Sequence, residues 1–355
     1  MRLEKYGKIH AWKLVISLLF LIFCFSCRTS KLSIEEKSSF NMAEMLQKHL
    51  GDRYDWPLLG IDKPSLILPL PVIVYTSQHG LQLFSSSRIS NGKSYKGFYL
   101  AVGGAYNGKI VYQLSDGKMT RPLDLSLTRN AAALLVSAII LLLIMIRWAL
   151  HYRKHPLSMP SRFKGALEML MNSLIDEVLK PCLGPYALKY APYLLSLFFF
   201  ILTINLLGLI VVFPGGVNLS GNISVCMVLA GCTLVLTIFA ATRRYWKEIF
   251  WPDVPAWLNS PIPILTFIEL IGIFTKPMAL MVRMFANLLG GHIIMLVLAG
   301  LVFLFIPFGL FVVGSATVLM YFFSVFMLLI EVLVCLIQAY VFFMLTTLFI
   351  GLTKV

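Results

Sequence analysis

Long apolar runs of membrane length set the framework of this chain: Asn130 to Trp148, Tyr190 to Phe213, Ile223 to Ala241, and a final block from Ile262 to Gly351. About 20 mostly apolar residues let a helix cross about 30 Å of hydrocarbon. The final block is long enough for two crossings if it folds back. Pro307 with Gly309 is the only strong breaker pair after Lys276, which places the reversal near residue 308. Two helices of about forty residues each, at about 1.5 Å per residue, would be about 60 Å long, so they must tilt steeply or run partly along the membrane. The pattern predicts an all-α polytopic membrane protein of five transmembrane helices, the last two a long tilted hairpin.

Shorter patterns fill the remainder. Arg2, Lys5, Lys8 and Lys13 precede a twelve-residue apolar run, Leu14 to Phe25. That is short for a span and has the form of a secretory signal peptide over residues 1–27. Ser26 before Cys27 also fits lipoprotein-type processing with Cys27 acylated, and an uncleaved anchor is the third option. Each option leaves residue 30 outside the cytoplasm. Residues 28–129 form a polar, exported region. It has strand-like runs Ser65 to Tyr75, Leu81 to Phe84, Gly97 to Val102 and Lys109 to Leu114, and Asn107-Gly108 is its best hairpin turn. The expectation is a small β-rich extension without catalytic groups, in which His79 is a loop residue. Residues 130–355 are the membrane domain. Ser161 to Lys180 carries apolar residues at helical spacing, Leu167, Leu170, Met171, Leu174 and Val178 among them, opposite charged ones. This suits an amphipathic helix at the cytoplasmic surface, ended by Lys180-Pro181.

Composition narrows the class. The chain has 355 residues, 59% hydrophobic and 13% charged, against about 25% charged in soluble domains. Its formal charge of +14 sits in the first 130 residues and beside the apolar segments, which is a topology signal and excludes a nucleic-acid footprint. The clusters Arg147 to Lys154 and Arg243 to Lys247 follow the first and third spans, which makes those ends and the C-terminus cytoplasmic and the extension external. That start and end require an odd number of spans, as five satisfies. Cys24 and Cys27 form a lone CxxC without a second pair, so no metal site is expected. No glycine-rich phosphate loop occurs, and no cofactor is expected.

Against this background a few polar residues stand out. Between Pro255 and Thr353 the only Asp, Glu, Lys or Arg residues are Glu269, Lys276, Arg283 and Glu331. A central membrane arginine costs at least about 2.5 kcal/mol, so it needs a use or a partner. In an antiparallel hairpin, facing residues have a constant index sum: His292 with Glu331 gives 623 and Arg283 with Gln338 gives 621. Polar groups of the two helices therefore meet at two depths. At about 100° per residue, Glu331 and Gln338 share a face, as do Glu269 and Arg283 with Asn287 nearby, while His292 lies about 180° from Arg283. Arg283 is expected to face a neighbouring protein and His292 a cavity or its partner helix, unless a bulge at Gly290-Gly291 re-aims it. His292 and Glu331 can take up and release protons, whereas Arg283 stays charged and acts as a barrier that attracts a carboxylate. Glu269 is placed to line a second half-channel, and Lys276 is read as an end-of-helix residue that snorkels to the interface.

RMFANLLGGH, followed by a long helix with Glu331 and Gln338 seven apart, and preceded by Glu269 and the spans FFFILTINLLGL and GNISVCMVLAG, resembles subunit a of the rotary F-type ATP synthases. The resemblance covers about residues 130 to 355. It implies a non-catalytic, proton-conducting stator subunit of a bacterial inner membrane, with the ring of c subunits, the stator b subunits, the rest of the ATP synthase and the bilayer as partners. It also implies roles: Arg283 as the ring-facing gate, Asn287, His292, Glu331 and Gln338 as the outer half-channel, Glu269 as the cytoplasmic exit. The signal-like segment and extension depart from many members. MLQKHLGDRYDWPL and LPLPVIVYTSQHGLQLFSSS look similar to an N-terminal extension in one bacterial group. Two alternatives remain at this stage, a secondary transporter that binds an anionic substrate at Arg283 and a membrane-anchored sensor. No internal repeat of the polar hairpin supports the first, and a sensor has no need of deep Arg, His and Glu.

Overall fold

The computed structural model describes residues 53–59, 66–76, 80–89, 94–101, 106, 108–113, 119–154, 162–210, 217–250, 264–305, 307 and 309–354. The signal segment expected at 1–27 lies outside them. Two compact units divide the chain between Ser126 and Leu127, Arg53 falling in the second.

The first unit is built of short antiparallel strands. β1 (Asp55–Leu59) pairs with β2 (Leu66–Pro69), and β3 (Pro71–Thr76) lies between β4 (Gly80–Ser85) and β8 (Leu123–Asp124). A second three-stranded sheet orders β5 (Phe98–Leu100), β6 (Ile110–Gln113) and β7 (Met119–Thr120). Alternation along β3 and β4 turns Val72, Val74 and Phe84 inward, where they join Tyr54, Ile89, Phe98 and Ile110 in one core. The Phe98 and Tyr112 rings lie 5.1 Å apart. Gly97 precedes β5 at φ +82°, and a Cβ there would stand 2.7 Å from the Tyr112 ring, so backbone angle and clearance both call for glycine. β5 and β6 pair as neighbouring antiparallel strands, and Gly108, at φ 72°, donates its N–H to the Ala101 carbonyl at 2.9 Å in their connection, while Asn107 of the expected turn lies outside the described residues. Among the described residues eight strands form where four runs were marked. Tyr54, just before β1, donates a 2.5 Å hydrogen bond to the Asp124 carboxylate at the end of β8. Burial, then that bond, push its hydroxyl above the ordinary tyrosine range.

The second unit is helical. Its described helices are α1 (Arg129–Lys154), α2 (Arg162–Ser173), α3 (Lys180–Leu183), α4 (Ala187–Leu209), α5 (Ile223–Ala240), α6 (Arg243–Phe250), α7 (Ile264–Leu304) and α8 (Leu310–Leu352). Among the described residues five stretches are long and apolar enough to cross a membrane: Arg129–Lys154, Lys164–Leu209, Ile223–Ala240, Thr266–Val302 and Phe311–Leu352. They agree with the five expected spans, and Gly309, at φ 100°, stands at the expected reversal.

The stretch before α4 differs from expectation. Lys180-Pro181 does not end the amphipathic helix; α2 continues through a π-helical turn, Leu174–Leu179, into α3. The next α segment starts at Lys180, with Pro181 in its first turn. The direction changes instead at Gly184, with φ 51°, before a 3-10 turn leads into α4. The Tyr152 hydroxyl near the end of α1 donates to Glu168 on α2 at 2.6 Å.

The core forms where α4 meets α8. Leu194, Leu197, Phe198, Ile201 and Ile204 make the buried stripe of α4, and Ala339, Phe342 and Phe343 answer from α8. The Phe198 and Phe343 rings meet edge-on at 5.8 Å. α7 packs between α5 and α8, so the hairpin has one helix at the core and one beside it. At the far end of α8 the Thr353 carbonyl accepts from the Thr242 backbone at 3.1 Å, and Lys354 lies over the Tyr186 and Tyr190 rings.

Candidate functional site

The hairpin gives each polar residue a distinct setting. On α7, Glu269, Lys276, Arg283 and Asn287 are exposed and His292 is half-buried. On α8, Glu331 and Gln338 are both buried, each 6% exposed. The shared faces inferred from helical periodicity therefore hold: one acid–amide pair faces inward, and Glu269, Arg283 and Asn287 face out of the unit.

Glu331 lies against the α7 backbone at Gly291. A Cβ on that glycine would stand 3.0 Å from Oε1 of Glu331 and 3.2 Å from its Cδ, whereas Gly290 faces open space. His292 is the next residue, so the structure brings Glu331 to the level of His292, within one residue of the register expected from the hairpin. No bulge interrupts α7, which is regular α-helix throughout; the glycine supplies clearance for a carboxylate instead of re-aiming the histidine. At the other level the two partners part, Gln338 inside and Arg283 outside.

Side chains not singled out from sequence complete the surroundings. Arg129, the first residue of α1, is 7% exposed, and its backbone N–H donates to the Arg53 carbonyl at 2.8 Å. The signal for it was present: a cation at the otherwise charge-poor end of the first span. Asn218, in the loop before α5, donates to the Leu288 carbonyl of α7 at 3.2 Å and accepts from the Gly221 N–H at 2.9 Å. Ser220 donates to the buried Asn205 on α4, and Asn222 caps α5 by accepting from the Ser224 N–H at 3.0 Å. The asparagine-bearing spans thus fix the loop that holds α7 beside His292.

Towards the other end of α7, a cleft of about 320 Å³ opens between α5, α6, α7 and α8, lined by Thr237, Tyr245, Ile273, Lys276 and Phe349. The Lys276 ammonium lies 5.8 Å from the Phe349 ring centre, a cation–π contact. Burial, then the charge of Glu269, raise the Tyr245 hydroxyl above its ordinary range, so it stays a neutral hydrogen-bond donor on the Glu269 side of α6. Among the described residues no three His, Cys, Asp or Glu side chains gather as a metal site.

The arrangement can do two things. It holds an imidazole and a carboxylate, both able to exchange protons, at one depth between two membrane-length helices. On the outward face it also presents a permanent cation nine residues away, accessible to whatever packs there.

Comparison with known proteins agrees with this architecture. The family described as "ATP synthase A chain" matches residues 132–351, and a domain of unknown function (DUF8433) matches residues 45–126. The chain is 38% identical over 233 residues to "ATP synthase subunit a" of Chlorobium phaeobacteroides (strain DSM 266 / SMG 266 / 2430), covering 65% of this chain and 66% of that one. It is 36% identical over 231 residues to the protein of the same name from Chloroherpeton thalassium, with 64% and 67% covered, and 38% identical over 245 residues to that of Myxococcus xanthus, with 67% and 76% covered. It spans about two thirds of the length of the first two relatives. With a family match over most of the chain and a membrane architecture of five spans, this protein belongs to the ATP synthase subunit a family.

Proposed function

We propose that the chain is the proton-conducting, non-catalytic stator subunit of a rotary F-type ATP synthase in a bacterial inner membrane, and that ATP is made on other subunits. Arg283 stands at the surface against a ring of c subunits and gates between two half-channels. Asn287, His292, Glu331 and Gln338 line the outer half-channel and Glu269 the cytoplasmic exit. Stator b subunits and the rest of the synthase are its other partners. The positive clusters at the ends of α1 and in α6 put those ends in the cytoplasm and residues 28–129 outside.

One observation carries the reading: on α7, Arg283 is exposed while Glu331, the acid that meets α7 near His292, is buried. A relay needs groups that can lose a proton, and a gate needs one that cannot. A guanidinium about 4 Å from a ring carboxylate, at an effective dielectric of about 20, favours its ionised form by about 4 kcal/mol. That is a bias of about a thousandfold, enough to discharge each arriving carboxylic acid. A proton entering by His292 and Glu331 must then ride the ring to reach the side of Glu269, because the fixed charge blocks the direct route.

The test is Arg283→Ala in the assembled complex, reconstituted in vesicles with an imposed pH gradient. Loss of ATP synthesis is expected; synthesis at the normal rate would refute the gate.

A further inference from the structure

The β-rich unit carries an apolar face that its own core leaves uncovered. In the sheet β4–β3–β8, Tyr75 pairs with Leu81 on one side and Leu123 on the other, and Ile73 pairs with Leu83. Paired residues in an antiparallel sheet share a face. On this face Leu81 is 64% exposed, Leu83 70%, Tyr75 50% and Leu123 59%, and Leu125, whose N–H donates to the Ile73 carbonyl, is 61% exposed. The opposite face, with Val72, Val74 and Phe84, is the core. The sheet therefore has two apolar sides, one of them open, and a contiguous exposed apolar patch marks a site of interaction.

We infer that this face lies on the lipid surface at the end of the membrane where α1 begins, seated in the headgroup layer. Three observations favour lipid over a protein. The chain passes from β8 directly into the membrane: Leu125 is four residues before Arg129, the first residue of the spanning helix. Four residues reach at most about 14 Å, so the apolar edge of the sheet is tethered beside the lipid–water boundary. The remaining strands follow at about 4.8 Å spacing, which brings Leu81 and Leu83 within the same layer. Next, the chemistry is that of an interfacial anchor: leucines to enter the acyl boundary, and Tyr75 with an apolar ring and a polar tip. Finally, the acid of β8 is withdrawn from this face: Asp124 is turned away to receive the Tyr54 hydroxyl. That suits anionic headgroups.

The experiment places a photoactivatable phenylalanine derivative at position 83, at 123 or at the exposed control Tyr106, one at a time, in the full chain within its assembled complex in native membranes. Each site is exposed, so the core of Val72, Val74 and Phe84 stays intact. Phospholipid adducts at 83 and 123 are expected several-fold above those at 106. Adducts to another subunit or to a second copy of the chain, equal lipid labelling at all positions, or no adduct at 83 and 123 would each overturn the assignment.

Discussion

Gly290 and Gly291 offer a matched pair for testing how the Glu331 carboxylate is positioned. Both are interior residues of α7, so on propensity alone either change to Ala should stabilise the helix by about 0.5–1 kcal/mol. Their surroundings differ. A methyl at 290 meets nothing within 4 Å, while one at 291 arrives 3.0 Å from Oε1 of Glu331 and 3.2 Å from Cδ. Relief needs a shift of a few tenths of an ångström by a carboxylate that is buried and backed by the rest of α8. Overpacking of that size costs about 1–3 kcal/mol, which outweighs the propensity gain, so Gly291→Ala should lower stability by up to about 2.5 kcal/mol. Function is more sensitive. If a misplacement of about 1 Å costs about a hundredfold where alignment matters, a third of that costs about fivefold. The assay is passive proton flow through the membrane sector in vesicles, with subunit content checked by gel. Gly290→Ala should conduct like the parent, Gly291→Ala about fivefold more slowly, and Gly291→Val more slowly still. Normal conduction by both Gly291 variants would refute the idea that this contact sets the carboxylate.

Two further outcomes are expected. Exchanging His292 and Glu331 in one chain should retain more proton-driven ATP synthesis than either residue's change to Ala, because the register puts them at one depth; equal loss in all three variants would remove the pairing. Tyr54→Phe should weaken the β unit by about 2 kcal/mol, the worth of a hydrogen bond to a charged acceptor, read as faster hydrogen exchange in β3 and β8. Because the folded state holds the Tyr54 hydroxyl above its unfolded value of about 10, this contribution is complete below about pH 10 and fades as pH rises above it. Phe at 54 should remove that alkaline sensitivity, and an unchanged alkaline profile would show that the bond does not contribute.

The elements legible in the sequence are those whose signal is local and long. Spans announce themselves because hydrocarbon demands about 20 apolar residues in a row, and the hairpin register followed from a single reversal, since Pro307 and Gly309 left no competing turn. The polar faces were legible for the same reason: with few charged positions, helical phase sorts them unambiguously. What escaped depended on distant partners. β8 is two residues long and exists because β3, about fifty residues earlier, accepts it; β1 contains Pro57, a residue that argues against a strand. Pro181 was read as a stop because the rule assumes an α-helix, and a π turn changes the premise. The sequence marks Gly290-Gly291 only as a place for a bulge, and the partner helix alone shows that the missing side chain of Gly291 is the point. Arg129 was hidden by its place, since a cation at the start of a span passes for a flank until its burial is seen.

The π turn at Leu174–Leu179 has a further consequence, for chain length. Each residue in a helix turns everything beyond it by about 100°, and a π turn absorbs one surplus residue within an otherwise continuous rod. α2 and α3 therefore stand in a rotational setting fixed by a residue count. That setting aims Glu168 at Tyr152 on α1, where the 2.6 Å bond closes the corner. Removing the surplus residue from the turn would return it to ordinary α-helix and keep that setting, whereas an insertion elsewhere in α2 would swing what lies beyond it by more than a quarter of a circle. At this corner the number of residues matters as well as their identity.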